Sequence, residues 1–491
     1  MRNIKVDHDI GIIGGGFAGL GVAIKLIKEG NKDFIIFERA SKVGGTWRDN
    51  VYPGCACDIP SHLYSYSFEM NPNWSRAYSE QSEILEYIVK VKNKYKLDAQ
   101  IQYNSNIVEL KFDEENSCWR YIDQNGNRIT TRTVILAIGP LNVPYTPLFK
   151  GMDQFKGFHF HSSEWDTSVD LKDKKVVVIG TGASAIQIVP SIVEDVERLT
   201  LFQRSAPWIL PKFDKDISLF SQKLFKALPF IQRLKRFAIF WFYEFIGTAL
   251  FKDNILRTLT RNLAKKHLEK AISDPELRKK LTPDYQIGCK RRLPSDDFYP
   301  SLTRDNVELV TDSIQEITPE GIIDNNGLLH EADVIIFATG FHVANFEKRD
   351  IKIFGRNNCN LFHHWKEKGP EAYYGTCVSG FPGLMFIMGP NTGLGHNSQL
   401  HIIESQFNYI IDYYKQLNNL PLHAFMDVKA DAQKKFNDAL QKKLEGMVWA
   451  SGCNSWYLHD SGRNSTLWPG LTATFRNKTR HIILKEFEIV S

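Results

Sequence analysis

The sequence predicts an α/β fold in which one strand-turn-helix-strand unit is built twice, because three features occur in duplicate. Residues 9–38 and 174–204 each begin with an apolar run that enters a glycine turn, Gly14-x-Gly16-x-x-Gly19 in the first and Gly180-x-Gly182-x-x-Ala185 in the second. Each turn is followed by a helix-like stretch. Each second strand then ends on a charged residue, Glu38 or Arg204, nineteen positions after the last small residue of its turn. A single glycine motif is weak evidence, but two with a strand before and a helix after describe two Rossmann-like dinucleotide-binding domains.

The remaining elements follow from this frame. Thr133–Gly139 reads as a buried strand ending in a small-residue turn, and the proline-rich run Pro140–Pro147 reads as a crossover linker. Asp333–Gly340 is the matching strand that closes the second unit. Residues 215–288 are rich in Leu, Phe, Lys and Arg at helical spacing and predict a helical insertion. The tail carries Met388–Ser398, whose glycines suit close approach to a flat ligand, and then a helix from about Leu400. The expected division is 1–145 for the first part of the first domain, 151–214 and 289–374 for the two parts of the second, and 375–491 for the return to the first.

The two charged residues distinguish the two ligands. A carboxylate at Glu38 accepts hydrogen bonds from ribose hydroxyls and repels a 2′-phosphate, which suits FAD or NAD. A guanidinium at Arg204 can clamp such a phosphate, which suits NADPH. Thr181, Ser184 and Gln187 stand where the second helix begins, beside Gly180, Gly182 and Ala185, and are expected to meet the pyrophosphate.

Composition narrows the class further. The chain has 491 residues, a 43% hydrophobic fraction and a net charge of +5 whose positive residues form no single run, so nothing argues for nucleic acid. Seven cysteines at irregular spacing point to a reducing compartment rather than a disulfide framework, and no metal-ligand spacing is present. Cys55 and Cys57 have the wrong spacing for a redox dithiol and read as packing residues. The chain runs from Met1 into the first strand with no signal-peptide core, so the cytoplasm is the expected location. Phe237–Phe251 is apolar but interrupted by Glu244 and too short to span a membrane. A helix buried on several sides, or one lining an apolar substrate entrance, is preferred over contact with a membrane surface.

Two longer motifs specify the chemistry. Phe155-x-Gly157-x-x-x-His161-x-x-x-Trp165-Asp166 lies just before the second glycine turn, and Gly44-Gly45-Thr46-Trp47 leads to Tyr52-Pro53-Gly54 and Asp58 after the first. With Lys290-Arg291 and Trp456-Tyr457 downstream, the chain resembles the type I Baeyer–Villiger monooxygenases, class B flavoproteins, from residue 9 to about 470. The resemblance implies FAD, NADPH and O2, a ketone converted to an ester or lactone, and passage through a C4a-peroxyflavin. It makes Arg291 the catalytic cation and Asp58 its anchor; a structural salt bridge between loops is the alternative. Arg292 leaves open which guanidinium faces the flavin.

The cofactor-binding residues on this reading are Gly14, Gly16, Gly19, Glu38, Gly45, Thr46, Trp47, Asp58 and Tyr64 in the first domain. In the second they are Gly180, Thr181, Gly182, Ser184, Ala185, Gln187, Arg204, Ser205 and Lys290, with Trp456 folding over the nicotinamide cofactor. His161 and Trp165, on the stretch between the domains, take a structural part. Three other readings are weaker: a heteroatom oxygenase acting on thioethers or amines, a disulfide reductase that lacks its cysteine pair, and a non-catalytic flavoprotein that leaves the NADPH site unexplained. The particular ketone and the oligomeric state stay open at this level.

Overall fold

The computed structural model describes residues 6–421, 423–453 and 455–490. The chain start, Met1–Lys5, on which the missing leader was read, lies outside them. The first unit is β1 (His8–Ile13), α1 (Phe17–Lys28) and β2 (Phe34–Phe37). Both strands are covered by other layers, so their side chains are apolar in near-continuous runs, with Ile10, Ile12, Phe34 and Ile36 buried. They belong to an eight-stranded sheet. Its spatial order is Lys352–Phe354, Ile107–Asp113, Cys118–Asp123, Arg128–Leu136, β1, β2 and Ile101–Gln102. Arg128–Leu136 pairs with Cys118–Asp123 through its first half and with Leu384–Phe386 through its second.

The second unit is β3 (Lys175–Ile179), α2 (Ala185–Ile192) and β4 (Arg198–Phe202). It lies in a five-stranded sheet, all parallel, ordered Val307–Val310, β4, β3, Val334–Phe337 and Phe158–His161. The motif around His161 therefore forms the edge strand of this sheet rather than a linker. Pro190 lacks an N–H for the helical ladder, and α2 is correspondingly short.

Three expectations are corrected. The chain returns to the first sheet earlier than residue 375: Lys352–Phe354 pairs in parallel with Ile107–Asp113, and Phe346, Ile353, Leu361 and Trp365 bury into the core on that sheet. A three-residue strand among charged neighbours carries little periodicity, which is why the earlier crossing was invisible. Second, Cys289 and Cys453 form a disulfide with a Cα–Cα distance of 6.2 Å; their separation of 164 residues gave no sign of pairing.

The third correction concerns the insertion, which does consist of helices: Leu219–Ala227, α3 (Pro229–Phe251), Ile255–Ala271 and Pro275–Lys280. In α3 the polar residues Gln232, Arg236 and Glu244 are buried, while Phe230, Leu234, Phe237, Trp241, Phe242 and Phe245 face outward. Buried hydrogen-bond partners explain the inversion. Arg236 donates to the carbonyls of His62 and Leu63, and Glu244 accepts from Asn397 and from the Thr472 and Ala473 amides. Burial alone would raise the Glu244 carboxyl, but these donors and His396 hold it down at about 2. The C-terminal part ends with α4 (Gln399–Asn418), which packs on α1, and Thr472–Lys478, which packs on α4.

Candidate active site

The site begins at the first turn, where β1 must give way to α1 without a gap. Gly14 has φ +109°, and a Cβ there would sit 2.5 Å from the Ala137 carbonyl oxygen. Gly19 allows the helix to lie against the turn, since its Cβ would fall 1.8 Å from the Gly14 oxygen. At Gly16, by contrast, a Cβ would meet no protein atom nearer than 3.7 Å, which leaves space over the turn for a ligand's backbone approach. Glu38 is buried and accepts from the Gly15 amide (2.8 Å), the Ala40 amide (2.9 Å) and Arg48 Nη1 (2.8 Å). A carboxylate has about four acceptor positions, so one remains for a hydroxyl. Gly45 precedes the short helix Thr46–Asp49, and Trp47 donates from its indole to the Tyr64 hydroxyl at 3.1 Å.

The second turn repeats the entry geometry. Gly180 has φ +110°, and its Cβ would sit 2.5 Å from the Ala338 oxygen; a Cβ at Gly182 would touch nothing within 4 Å. Around it cations gather without counter-ions. Lys290 Nζ donates to Ser205 Oγ at 2.9 Å, and Thr181 Oγ1 donates to the Ser205 carbonyl at 3.1 Å. Burial, then the charge of Arg204, lowers the Lys290 ammonium from its ordinary value. Among the described residues neither Lys290 nor the exposed Arg204 is in an ion pair. Two adjacent uncompensated cations fit an anion such as a phosphate. Ser184 caps α2 positionally with its hydroxyl uncommitted to the helix.

Gln187 is placed elsewhere than expected. Its Oε1 accepts from the Tyr52 hydroxyl at 3.0 Å and its Nε2 donates to the Ala56 carbonyl at 3.0 Å, so the side chain joins the two domains instead of facing a pyrophosphate. The loop from Tyr52 to Asp58 can dock there because Gly54, at φ +76°, has no side chain; a Cβ would lie 2.2 Å from Ser191 Oγ.

That docked loop delivers Asp58 to Arg291. Nε and Nη2 of Arg291 lie 2.7 and 2.6 Å from the same oxygen, Asp58 Oδ2. Asp58 is the main cause that holds the Arg291 guanidinium above its ordinary value, against burial. The two side chains are 30% and 23% exposed, so the pair is partly accessible rather than sealed. Arg292 differs: burial drops its guanidinium to about 10, no carboxylate among the described residues pairs with it, and it donates to the Gly395 carbonyl at 3.4 Å. Both guanidinium groups are charged at neutral pH, and Arg291 is the one a carboxylate orients. A cation so fixed stabilises negative charge that develops on oxygen.

Tyrosines complete the surroundings. Tyr457 is buried near both arginines, its phenol pushed up to about 12 by burial and drawn back by Arg291. Tyr78 and Tyr243 hydroxyls lie 3.3 Å apart, and burial is the main cause that raises both phenols, with the Asp58 charge a smaller one. Sequence reading assigned none of these three a role. Tyr457 followed Trp456 in a noted motif, Tyr243 was hidden in an apolar run, and Tyr78 carried no signal. Trp456 itself is half-exposed, its ring 4.3 Å from that of Tyr457. His161 is buried and lowered to about 4, so it stays neutral; Nδ1 accepts from the Ser163 amide and its ring abuts Phe341.

The two cysteines on the docked loop, Cys55 and Cys57, are thiols, whereas Cys289 beside Lys290 and Arg291 is bonded to Cys453. Burial pushes Cys55 up to about 11 and Cys57 higher, and neither is disulfide-bonded, so this pair has neither the pairing nor the low pKa of a redox dithiol.

Comparison with known proteins gives the family. The flavin-binding monooxygenase-like family model matches residues 7–442. A Baeyer–Villiger monooxygenase of Pseudomonas aeruginosa is 47% identical over 487 residues, covering 98% of this chain and 91% of that one. One of Streptomyces coelicolor is 43% identical, covering 98% and 92%. Among solved structures, cyclohexanone monooxygenase from Rhodococcus sp. Phi1 bound to NADP+ superposes with a TM-score of 0.88 at 25% identity, covering 99% and 100%. Oxidized steroid monooxygenase bound to NADP gives 0.86 at 28%, covering 98% and 99%. The chain belongs to the flavin-binding monooxygenase-like family.

Proposed function

We propose that this protein is an FAD-dependent, NADPH-consuming Baeyer–Villiger monooxygenase: ketone, O2, NADPH and a proton give an ester or lactone, NADP+ and water. The observation that carries the reading is the Arg291–Asp58 pair between two dinucleotide turns of opposite charge. The names of the two bacterial relatives support the same activity. When bound, the flavin takes electrons from NADPH and delivers one oxygen atom of O2, the other leaving as water.

The chain's residues supply the rest. Gly14, Gly16 and Gly19 leave the backbone open to the FAD pyrophosphate, and Glu38 takes a ribose hydroxyl. Gly45, Thr46, Trp47 and Tyr64 line the same cofactor. Arg204, Lys290 and Ser205 hold the 2′-phosphate of NADPH, and Trp456 covers its nicotinamide end. Arg291 keeps a positive charge against the carbonyl oxygen of the ketone as that oxygen becomes negative, and Asp58 fixes its direction.

The test is Arg291→Ala, with NADPH oxidation and ester formation measured separately on a panel of ketones and a thioether. NADPH should still reduce the flavin, while ester formation falls by at least about 10²-fold, the usual effect of removing one preorganised charge donor. Ester formed at the unsubstituted rate overturns the reading. Sulfoxide as the main product of the unsubstituted protein overturns it in favour of heteroatom oxidation.

A further inference from the structure

We propose that the helical insertion docks on an anionic lipid surface through the outward face of α3. The face is defined by spacing: Phe230, Leu234, Phe237, Trp241 and Phe245 recur at three- and four-residue intervals, which places them on one side of a helix. They are 46–63% exposed. The opposite side is fastened by polar contacts, with Gln232 Nε2 donating to the Asn71 carbonyl at 2.6 Å, Arg236 bonded to the 62–63 backbone and Glu244 to the C-terminal part. Rotating the helix to hide its aromatic side would strip those buried groups of their partners, so the fold holds the apolar face outward. The next helix, Ile255–Ala271, adds exposed Ile255, Leu259 and Leu263 at four-residue spacing.

Charge selects the occupant. Residues 215–288 carry fifteen Lys and Arg against seven Asp and Glu, while the whole chain is only +5, so the rest of the chain is net acidic. Lys223, Lys226, Arg233 and Lys235 are exposed beside the aromatic face. A second copy meeting this surface would set two basic faces against each other. Anionic headgroups would neutralise them, while Trp and Phe enter the interfacial layer. Among the described residues no helix is long and apolar enough to cross a membrane, so the contact is one of lying on the surface.

Flotation of the cofactor-loaded protein with vesicles tests this, using phosphatidylcholine alone or with about a third phosphatidylglycerol. The expected result is at least ~10-fold greater partition onto the anionic vesicles, weakened at high salt. Phe237→Ser/Trp241→Ser/Phe245→Ser should lose that partition with flavin content and NADPH oxidation unchanged. Lys226→Glu/Arg233→Glu should lose the preference for anionic lipid, and it decides the question if the triple variant fails to fold. Failure of the unsubstituted protein to float, or equal flotation of the variants, overturns the proposal. So does sedimentation showing a dimer that the triple substitution splits, without lipid binding, because the face would then join two copies.

Discussion

The two glycine turns enter alike and leave differently. Gly14 and Gly180 have φ of +109° and +110°, and each would place a Cβ 2.5 Å from the carbonyl oxygen of the alanine just past a neighbouring strand. Beyond that they diverge. In the first sheet Ile13 pairs with Phe37, so Glu38 follows the ladder directly and turns inward to three donors. In the second sheet Ile179 pairs with Phe202, so the position equivalent to Glu38 is Gln203, and Arg204 lies one residue further out, exposed. Gln203 is buried and donates to the Lys280 carbonyl. One turn is stitched shut around its charge; the other presents its charge at the rim. That difference suits a cofactor that stays and a cosubstrate that exchanges.

The largest expected effect comes from breaking the tight turn. Gly19→Ala places a methyl 1.8 Å from the Gly14 oxygen, so turn and helix must separate by more than an ångström. Overpacking of this kind costs about 1–3 kcal/mol or more, and here it falls on the ligand's own seat. Purified Gly19→Ala protein should contain little or no flavin, read from the absorbance of the isolated protein. Full flavin content would mean that the first turn is not the flavin seat.

Arg204→Ala sharpens the rim side of the comparison. Losing a charge-assisted bond to phosphate removes about 1.5–3 kcal/mol, or roughly a 10- to 150-fold rise in KM. The rise should appear for NADPH and be nearly absent for NADH. Equal rises for both would take Arg204 out of phosphate recognition and leave Lys290 as the remaining cation.

These differences show what could be read from the chain beforehand. Glycine motifs, strand hydrophobicity and charged strand ends are local patterns, so both units and their cofactor preference were legible, whereas the pairing of Arg291 with Asp58 came only from the family resemblance. Equal sequence intervals suggested that Glu38 and Arg204 were equivalent, yet the distance from turn to second strand differs by one residue in the folded ladders. Register depends on how the intervening helix packs, which no interval reports. Gln187 was misread for a related reason: its position beside a turn is local, but its partners Tyr52 and Ala56 lie about 130 residues away. The outward face of α3 was misread because apolar runs imply burial, whereas here Arg236 and Glu244 have buried partners in other elements and claim the inner side.

Gln187→Ala tests whether that bridge joins the halves. It removes a bond to the Tyr52 hydroxyl and one to the Ala56 carbonyl, leaving a buried phenol without its acceptor. The expected cost is about 1–3 kcal/mol of stability, seen as a lower Tm. KM for NADPH should change less than in Arg204→Ala, because the side chain faces the first domain. A larger KM effect than that of Arg204→Ala would restore Gln187 to the cofactor site.

The smallest effect completes the comparison from the second turn. Ala185 stands where the first turn has Gly19, and it is buried without distorting the turn, since the α2 start accommodates one methyl. Ala185→Gly therefore removes a helix-favouring residue and a small buried group without relieving any clash. The expected change is about 0.5–1 kcal/mol lower stability, from backbone freedom regained in the unfolded chain, with NADPH binding unaltered. A gain in stability, or tighter NADPH binding, would mean that the second turn is strained by Ala185 and that the two turns share one geometry after all.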